Sequence, residues 1–476
     1  MASGECYNSP IMRPYRALVL SLLALLVSAL ACNLAEPPTP TFVPPPTYTV
    51  PPPIEPVTQT PVPTTPTPSP NPAEATATPA LPVIDASVPH HLEQVDNDRL
   101  LISVNSLANF GTRFVNAEPH SAAMGIGGAR EWILGQFRII EQDARARNVP
   151  FIILPHSFQL EWRDLTSTQT NVLAYLPGSG ERAKEVIIVG AHYDSTSEVP
   201  DISAPGADDN ASGVAVMLEC ARILAQSRHQ ATIVFVAFSA EETGRQGSEA
   251  FLRDVVAVEG WDVRAMLSLD TVGAQTGPDG EMVGDRVRTF SAPPNEAASR
   301  QLARTVHLVA AAYVPDFQVD VQPEADREDH GGDHTTFSDA GYPAVRLVEA
   351  AEDPTRTSTT RDTTAWVSAR YMARVARVTL AALLVLADGP APPTHVAFSA
   401  GSAQTLTWTP SPNAAGYIIA LRDAGSLTYD RWFQVGAPNA FAWSSEAYAG
   451  LDYLAIAAVD ANGRQGPFSP EIPIPQ

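Results

Sequence analysis

Residues 186–213 read VIIVGAHYDSTSEVPDISAPGADDNASG, and this stretch decides the fold. Its first four residues, Val186–Val189, are apolar and β-branched and have the length of a buried strand. His192 and Asp194 follow the strand, and the acidic pair Asp208–Asp209 precedes a helical pattern. Because functional sites in open α/β sheets assemble at strand ends, the stretch predicts a metal or catalytic site on an α/β fold.

Strands and helices alternate along the chain on both sides of this stretch, which predicts an α/β sheet covered by helices on both faces. Continuous apolar runs predict further strands at Phe151–Phe158, Thr170–Leu176, Thr232–Phe238, Ala265–Leu269 and Ala344–Val348. Helical spacing of apolar residues predicts helices at Leu100–Leu107, Ala129–Arg145, Ala211–Ala225, Glu296–Ala311 and Thr364–Leu386.

Composition excludes several classes of partner and of site. The 476-residue chain has a formal net charge of -22, which argues against nucleic acid and anionic membrane surfaces as partners. Its cysteines are Cys6, Cys32 and Cys220. Their positions allow neither a disulfide framework nor a zinc site built on cysteine.

Residues 1–32 have the pattern of an export signal. Arg13 and Arg16 precede an apolar run, Ala17–Ala31, that is too short to span a membrane. The run ends in Ala-Leu-Ala-Cys, which suits ordinary signal-peptide cleavage and also resembles a bacterial lipoprotein box. We favour the lipoprotein, in which Cys32 is acylated and anchors the exported protein to the membrane at the cell surface.

Residues 33–85 predict a disordered linker, because proline and threonine dominate and few large apolar groups are present. A globular region of 86–388 follows, and a proline-rich boundary precedes residues 389–476. This last segment predicts a β-sandwich, from short alternating runs separated by turns. It resembles a fibronectin type III module, with Trp408 as its core tryptophan and Tyr453 on a late strand. We expect a spacer or a binding module, because it carries no cluster of titratable residues.

Polar side chains follow the later predicted strands as well. Glu241–Glu242 come after the strand that ends at Phe238, Asp270 follows Leu269, and His334 precedes the strand at Ala344. Two imidazoles with several carboxylates and no thiolates suit zinc. This set exceeds the three protein ligands of a catalytic zinc ion and suits two metals that share a bridging carboxylate.

Five motifs in order, AHYDS, GADDNASG, FSAEE, LDTVG and DHTTF, resemble the M28 family of zinc aminopeptidases. The resemblance spans roughly residues 112–372. It implies a three-layer α/β/α sandwich with a mixed central sheet, as in zinc exopeptidases, and two zinc ions as cofactors. It also implies that His192 and Asp270 bind one zinc ion, that Glu242 and His334 bind the other, and that Asp208 bridges both.

The same resemblance implies roles for other residues near the ligands. Glu241 would be the general base, and Asp194 would hydrogen-bond His192 from behind. Asp209 is interpreted as a helix cap or a supporting group. His330 is interpreted as a loop residue, with a role as an alternative ligand left open. Many relatives carry a Tyr-His-Thr-x-x-Asp segment near the last helix, and Ser358 stands where that His would be. We expect the difference to affect substrate preference.

These observations predict an exported aminopeptidase that hydrolyses N-terminal residues of peptides with a two-metal-activated water. Three alternatives stay open, namely a glutaminyl cyclase, a carboxypeptidase-type relative, and a non-catalytic surface protein that keeps the fold. A complete set of metal ligands favours an enzyme, because a binding module does not need one.

Overall fold

A mixed sheet of eight strands forms the centre of the region from residue 85 to residue 388. The computed structural model describes residues 85–117, 121, 123–327, 330–399, 405–436 and 442–475. The predicted export signal with Cys32 and the predicted linker up to residue 84 lie outside the described residues. Within the described ranges, none of the helices combines the length and hydrophobicity needed to cross a bilayer.

The strands of this sheet lie in the order β1-β2-β4-β3-β5-β8-β6-β7. Strands β4, β3, β5 and β8 are parallel neighbours, whereas β2 and β6 flank them in antiparallel pairs. The carboxyl ends of the four central strands therefore meet at one edge. The strands are β1 Ile152–Trp162, β2 Leu165–Leu176, β3 Glu185–His192, β4 Thr232–Phe238, β5 Asp262–Leu269, β6 Arg286–Ser291, β7 Gln318–Val321 and β8 Ala344–Glu349.

Helices cover both faces of the sheet, and the residues of a central strand alternate between them. In β3, Ile187 and Val189 pack into one hydrophobic cluster, whereas Val186 and Ile188 pack into another. The helices are α1 Ser87–Leu92, α2 Asn97–Ala108, α3 Gly125–Ala146, α4 Gly213–Leu224, α5 Gln246–Phe251, α6 Ala257–Glu259, α7 Ala298–Tyr313, α8 Asp333–Asp339 and α9 Ala369–Asp388. The predicted three-layer α/β/α fold with a mixed sheet is confirmed.

The structure differs from the predicted elements mainly at the sheet edge and in the last helix. Strands β6 and β7 were not predicted, because polar residues alternate with apolar ones in them and they lie at the edge of the sheet. The predicted helix Thr364–Leu386 is divided into a 3-10 turn, Thr364–Trp366, and α9. Ser368 is the N-cap of α9, because its side chain accepts a hydrogen bond from the backbone N–H of Tyr371.

The C-terminal region is a separate all-β part with antiparallel pairing, as predicted for its fold class. One sheet has the order β13-β10-β9 and the other the order β12-β11-β14-β15, with β16 paired to β14. Its likeness to a fibronectin type III module stays a prediction. The strands are β9 Thr394–Ser399, β10 Thr405–Thr409, β11 Gly416–Arg422, β12 Arg431–Val435, β13 Ala442–Ser444, β14 Tyr453–Val459, β15 Gln465–Phe468 and β16 Ile472–Pro473.

The larger C-terminal sheet is buried on both of its faces. Trp408 and Tyr417 meet in the interior between the two sheets, with ring centroids 5.1 Å apart. On the other face, Ile418 and Ala420 pack against Leu308 of α7. Helix α7 therefore joins the α/β region to the C-terminal region through an apolar contact.

Candidate metal centre

Three parallel strands deliver polar side chains to the same edge of the sheet. His192 is the last residue of β3, Glu241–Glu242 follow β4, and Asp270 follows β5. These side chains line a cleft of about 160 Å³. The apolar runs that form the strands thus bring together residues that are up to 78 positions apart, as in the pair of His192 and Asp270.

His192 is the centre of a tight cluster with two carboxylates. Its Nε2 atom lies 3.2 Å from Asp209 Oδ1 and 3.3 Å from Asp270 Oδ1. One ligand atom from each of the three residues lies within 4.8 Å of the other two. The opposite ring atom, Nδ1, lies 3.2 Å from the carbonyl oxygen of Asp194. When Nδ1 carries the proton and donates to this carbonyl, the lone pair of Nε2 faces the carboxylates and is available to a metal.

Asp194 supports the cluster from behind. Its carboxylate accepts the backbone N–H groups of Glu241 and Glu242, both at 3.1 Å, and one of its oxygens lies 3.7 Å from His192 Nδ1. The side chain is fully buried. Asp194 thus ties the loop after β4 to the end of β3, which sets the positions of the two glutamates.

The two glutamates line the same cleft as the cluster, and one oxygen of Glu242 has no hydrogen-bond partner. Burial raises the pKa values of Glu241 and Glu242 well above the ordinary glutamate value, and neighbouring carboxylates add to the rise although His192 opposes it. The buried Oε1 atom of Glu242 has no hydrogen-bond partner. A buried acceptor without a partner costs free energy, and a cation would satisfy it. An imidazole, two clustered carboxylates and this acceptor form a donor set that fits zinc.

Asp208 does not belong to the cluster of His192, Asp209 and Asp270, and its predicted position between two metals stays a prediction. Its Oδ1 atom accepts the N–H of Gly273 at 2.7 Å, and its carboxylate hydrogen-bonds to Glu349, which lies at the end of β8. Burial raises the pKa of Asp208 to about 6 and that of Glu349 well above the ordinary value. Its neighbour Asp209 is the residue that contacts His192. The sequence signal was present, because both acids belong to the motif GADDNASG, but we interpreted Asp209 as a cap or support.

His334 does not belong to the three-residue cluster of potential ligands, and its predicted role as a ligand stays a prediction. It is fully buried in the first turn of α8, and its Nε2 atom lies 2.9 Å from the carbonyl oxygen of Ala325. His330, which we interpreted as a loop residue and an alternative ligand, lies in a loop and lines the cleft. His330 does not join the three-residue cluster of potential ligands found among the described residues.

Two arginines that were not predicted, Arg327 and Arg346, also line the cleft, and so does Ser358. The Nη2 atom of Arg346 lies 3.0 Å from Asp270 Oδ2, and its Nη1 atom contacts Asp326 at 3.1 Å. Arg327 pairs with Glu352. Ser358 donates a hydrogen bond to Asp209 Oδ2 at 3.3 Å. A charged residue inside the apolar strand β8 was the signal that could have identified Arg346.

Opposite charges hold His192 and Asp270 in their ionised forms. Burial disfavours the charged carboxylate, but Arg346 and His192 outweigh it and hold the pKa of Asp270 well below its ordinary value. Burial also disfavours the imidazolium, yet Asp270 and Glu241 raise the pKa of His192 well above its ordinary value. An incoming divalent cation would replace this proton as the partner of the carboxylates.

Comparisons with known proteins agree with this architecture. The sequence profile of peptidase family M28 matches residues 171–383. A probable zinc metalloprotease of Leptosphaeria maculans is 30% identical over 393 residues, which cover 75% of this chain and 90% of that protein. The structure of LapB from Legionella pneumophila superposes with a TM-score of 0.51 at 21% identity and covers 64% of this chain and 76% of that one. The LapA aminopeptidase of the same organism has a TM-score of 0.50 at 18% identity, with 63% and 74% covered. At these identities the two structures establish a shared fold.

Proposed function

This chain belongs to peptidase family M28 and is a zinc metallopeptidase, and on that premise we propose that it is an exported aminopeptidase. The observation that carries the proposal is the cluster of His192, Asp209 and Asp270 beside Glu241 and Glu242. We propose that the cluster holds one zinc ion and that Glu242 extends the site toward a second cation. If two cations bind, Asp209 would be the bridging ligand, a role that we had assigned to Asp208.

A bound zinc ion acts as a Lewis acid, which lowers the pKa of the attacking water and stabilises negative charge on the substrate's carbonyl oxygen. Glu241 supplies the proton transfers. Its carboxylate removes a proton from the water as the new C–O bond forms, and it gives this proton to the amine nitrogen as the C–N bond breaks. Asp194 orients this step, because it holds the backbone of Glu241.

Charge in the cleft favours a free amino terminus over a free carboxylate as the feature that is recognised. Four acids line the cleft, namely Asp209, Glu241, Glu242 and Asp270. The two arginines that could bind a substrate carboxylate already have partners, since Arg346 pairs with Asp270 and Asp326, and Arg327 pairs with Glu352. An amino group would find hydrogen-bond acceptors among these four acids, which supports an aminopeptidase over a carboxypeptidase.

The test compares two peptide series that differ only at their ends. One has a free amino terminus and an amidated carboxyl terminus, and the other has an acetylated amino terminus and a free carboxyl terminus. We expect the purified zinc-loaded protein to release residues from the first series alone, and to lose activity with a chelator and regain it with zinc. Release from the second series, or no hydrolysis of any free-amine peptide by folded zinc-loaded protein, would refute the aminopeptidase proposal.

Glu241→Gln tests the proposed base separately from metal binding. The amide cannot accept the proton, so we expect kcat to fall by about 10²- to 10⁴-fold while zinc content stays unchanged. Glu249→Gln, an exposed glutamate on α5, is the matched control and should keep both activity and zinc. Loss of zinc in Glu241→Gln would show that Glu241 is a ligand.

We also propose that the protein is exported and anchored through an acylated Cys32. The basic, apolar and small-residue pattern of residues 1–32 supports this proposal, and so does the proline-rich segment that follows it. Mass spectrometry of the mature protein should find a lipid-modified Cys32 at its amino terminus, and an unmodified terminus would exclude the anchor.

A further inference from the structure

The two oxygens of Asp209 face two different sides of the cleft. Oδ1 faces His192 Nε2 at 3.2 Å, whereas Oδ2 accepts the hydrogen bond of Ser358 at 3.3 Å. Asp270 lies on the His192 side, since its Oδ1 atom is 3.3 Å from the same ring nitrogen. A carboxylate that bridges two cations would place one of them on each side. The Ser358 side is therefore where a second cation would bind.

Among the residues that the structure describes, the three-residue cluster of potential ligands holds one imidazole, that of His192. The Nε2 atom of His334 is directed to the carbonyl of Ala325, and burial lowers the pKa of this ring. His330 lines the cleft, but its ring does not belong to the cluster of potential ligands. The oxygen groups near Asp209 Oδ2 include the hydroxyl of Ser358 and the carboxyl group of Glu242, whose Oε1 atom has no partner.

A metal site made only of oxygen atoms differs chemically from the site at His192. Imidazole is a favoured zinc ligand, whereas carboxylate and hydroxyl oxygens suit harder cations such as manganese and magnesium. We infer that the second cation position binds zinc more weakly than the first, because Ser358 occupies the place where an imidazole would complete it. This inference rests on the proposed zinc centre at His192, Asp209 and Asp270.

The experiment adds the missing ligand. The full exported protein is stripped of metal, dialysed against zinc and analysed by elemental mass spectrometry, and zinc and manganese are then titrated calorimetrically. We expect wild-type protein to retain about one zinc ion and Ser358→His about two, with zinc affinity at the second position at least about tenfold higher in the variant. Manganese should compete for the second position in the wild-type protein better than in the variant.

Three further variants keep the result interpretable. Thr360→His adds an imidazole to the same loop at a residue that bonds to Glu198 outside the cleft, so it should behave like the wild-type protein. Ser358→Cys supplies a smaller zinc ligand if histidine disturbs folding, and it should also strengthen the second position. His330→Ala should leave zinc content unchanged.

The contrary results distinguish the inference from the proposed zinc centre on which it rests. Two zinc ions bound with similar affinity by the wild-type protein would refute the inference but leave the proposed function intact. A loss of zinc in His330→Ala, or no gain in either Ser358 variant, would also refute the inference. No zinc binding by the folded wild-type protein would refute the proposed centre itself.

Discussion

The adjacent aspartates Asp208 and Asp209 make different contacts, because their side chains point in different directions. Asp209 points to His192, whereas Asp208 points to the backbone of Gly273. Asp362, from a segment more than 150 positions away, fixes this arrangement, since its carboxylate accepts the N–H groups of both aspartates at 2.8 and 2.9 Å. The orientation of the loop is therefore set by a distant residue.

Asparagine substitutions at these two positions should separate their roles. Asp209→Asn removes an anionic ligand, and we expect zinc affinity to fall by more than about 100-fold, since even loss of a supporting group costs 10- to 100-fold. Asp208→Asn keeps an oxygen for the N–H of Gly273 and should retain zinc. Calorimetric zinc titration of both variants measures the difference. A greater loss in Asp208→Asn would restore the bridging role to Asp208.

The sequence predicted best which residues lie at the cleft where a strand ends at or just before them. His192, Glu241–Glu242 and Asp270 line the cleft because their apolar strands fix both their direction and their edge of the sheet. It was less successful in the loops. The motif DHTTF identified a histidine, but the direction of the His334 ring depends on the first turn of α8 and on the carbonyl oxygen of Ala325.

At the scale of elements, burial on both faces made the central strands predictable. Strand β4 was predicted with its observed bounds, because all of its residues from Ile233 to Phe238 are buried and apolar. Strand β7, in contrast, has four residues, of which Gln318 is exposed and Asp320 is half-buried. Its pairing with β6 comes from the rest of the fold, and four residues carry too little pattern to reveal it.

The close approach of α4 to β5 depends on Gly213, the last residue of the stretch that decides the fold. A Cβ atom there would lie 2.3 Å from the carbonyl oxygen of Leu269 and 2.4 Å from Asn210 Oδ1. We expect Gly213→Ala to lower the free energy of unfolding by about 1–3 kcal/mol, because backbone must move to admit the methyl group. It should also weaken zinc binding, since Leu269 directly precedes Asp270.

Gly135→Ala is the matched helix control. A Cβ atom at this position in α3 has no heavy atom within 4 Å, so the change should stabilise the protein by up to about 1 kcal/mol through helix propensity. Denaturant unfolding of both variants provides the measurement. If Gly213→Ala and Gly135→Ala had equal free energies of unfolding, α4 would be able to shift without a loss of stability.

At the scale of the whole molecule, Asp388 lies where three parts of the chain meet. It is the last residue of α9, and its Oδ1 atom accepts the N–H of Gln230 just before β4. Its Oδ2 atom lies 2.9 Å from His229 Nδ1 and 3.7 Å from Arg464 of the C-terminal region. We call these contacts of Asp388 with His229, Gln230 and Arg464 the joint. It was not apparent from the sequence, because His229 and Asp388 are 159 positions apart.

The joint should make stability depend on pH. Both ring nitrogens of His229 face acceptors, Asp388 Oδ2 and the carbonyl of Leu224, so the protonated ring donates twice. Burial disfavours this charge, but Asp388 outweighs burial and raises the pKa of His229 above its unfolded value of about 6.5. The stabilisation is therefore complete below about pH 6.5 and is lost as pH rises through the folded pKa.

The carboxylate of Asp388 sets the lower pH limit of this stabilisation. Burial would raise the pKa of Asp388, but His229 lowers it below its ordinary value, so its contribution is present above about pH 4 and is lost as pH falls. Asp388→Asn should lower the free energy of unfolding by about 3 kcal/mol at pH 6, because it leaves a buried imidazolium unpaired. The loss should shrink as pH rises, because the unpaired ring is then neutral.

Denaturant unfolding at several pH values between 5 and 9 would measure this dependence. Asp316→Asn is the control, since Asp316 pairs with Arg374 at an exposed position and such pairs contribute at most about 1 kcal/mol. Its stability profile should run parallel to that of the wild-type protein, whereas the profile of Asp388→Asn should be flatter above pH 6. Parallel profiles for all three proteins would show that the charge of His229 does not contribute to the joint, and its two hydrogen bonds would then hold in the neutral ring.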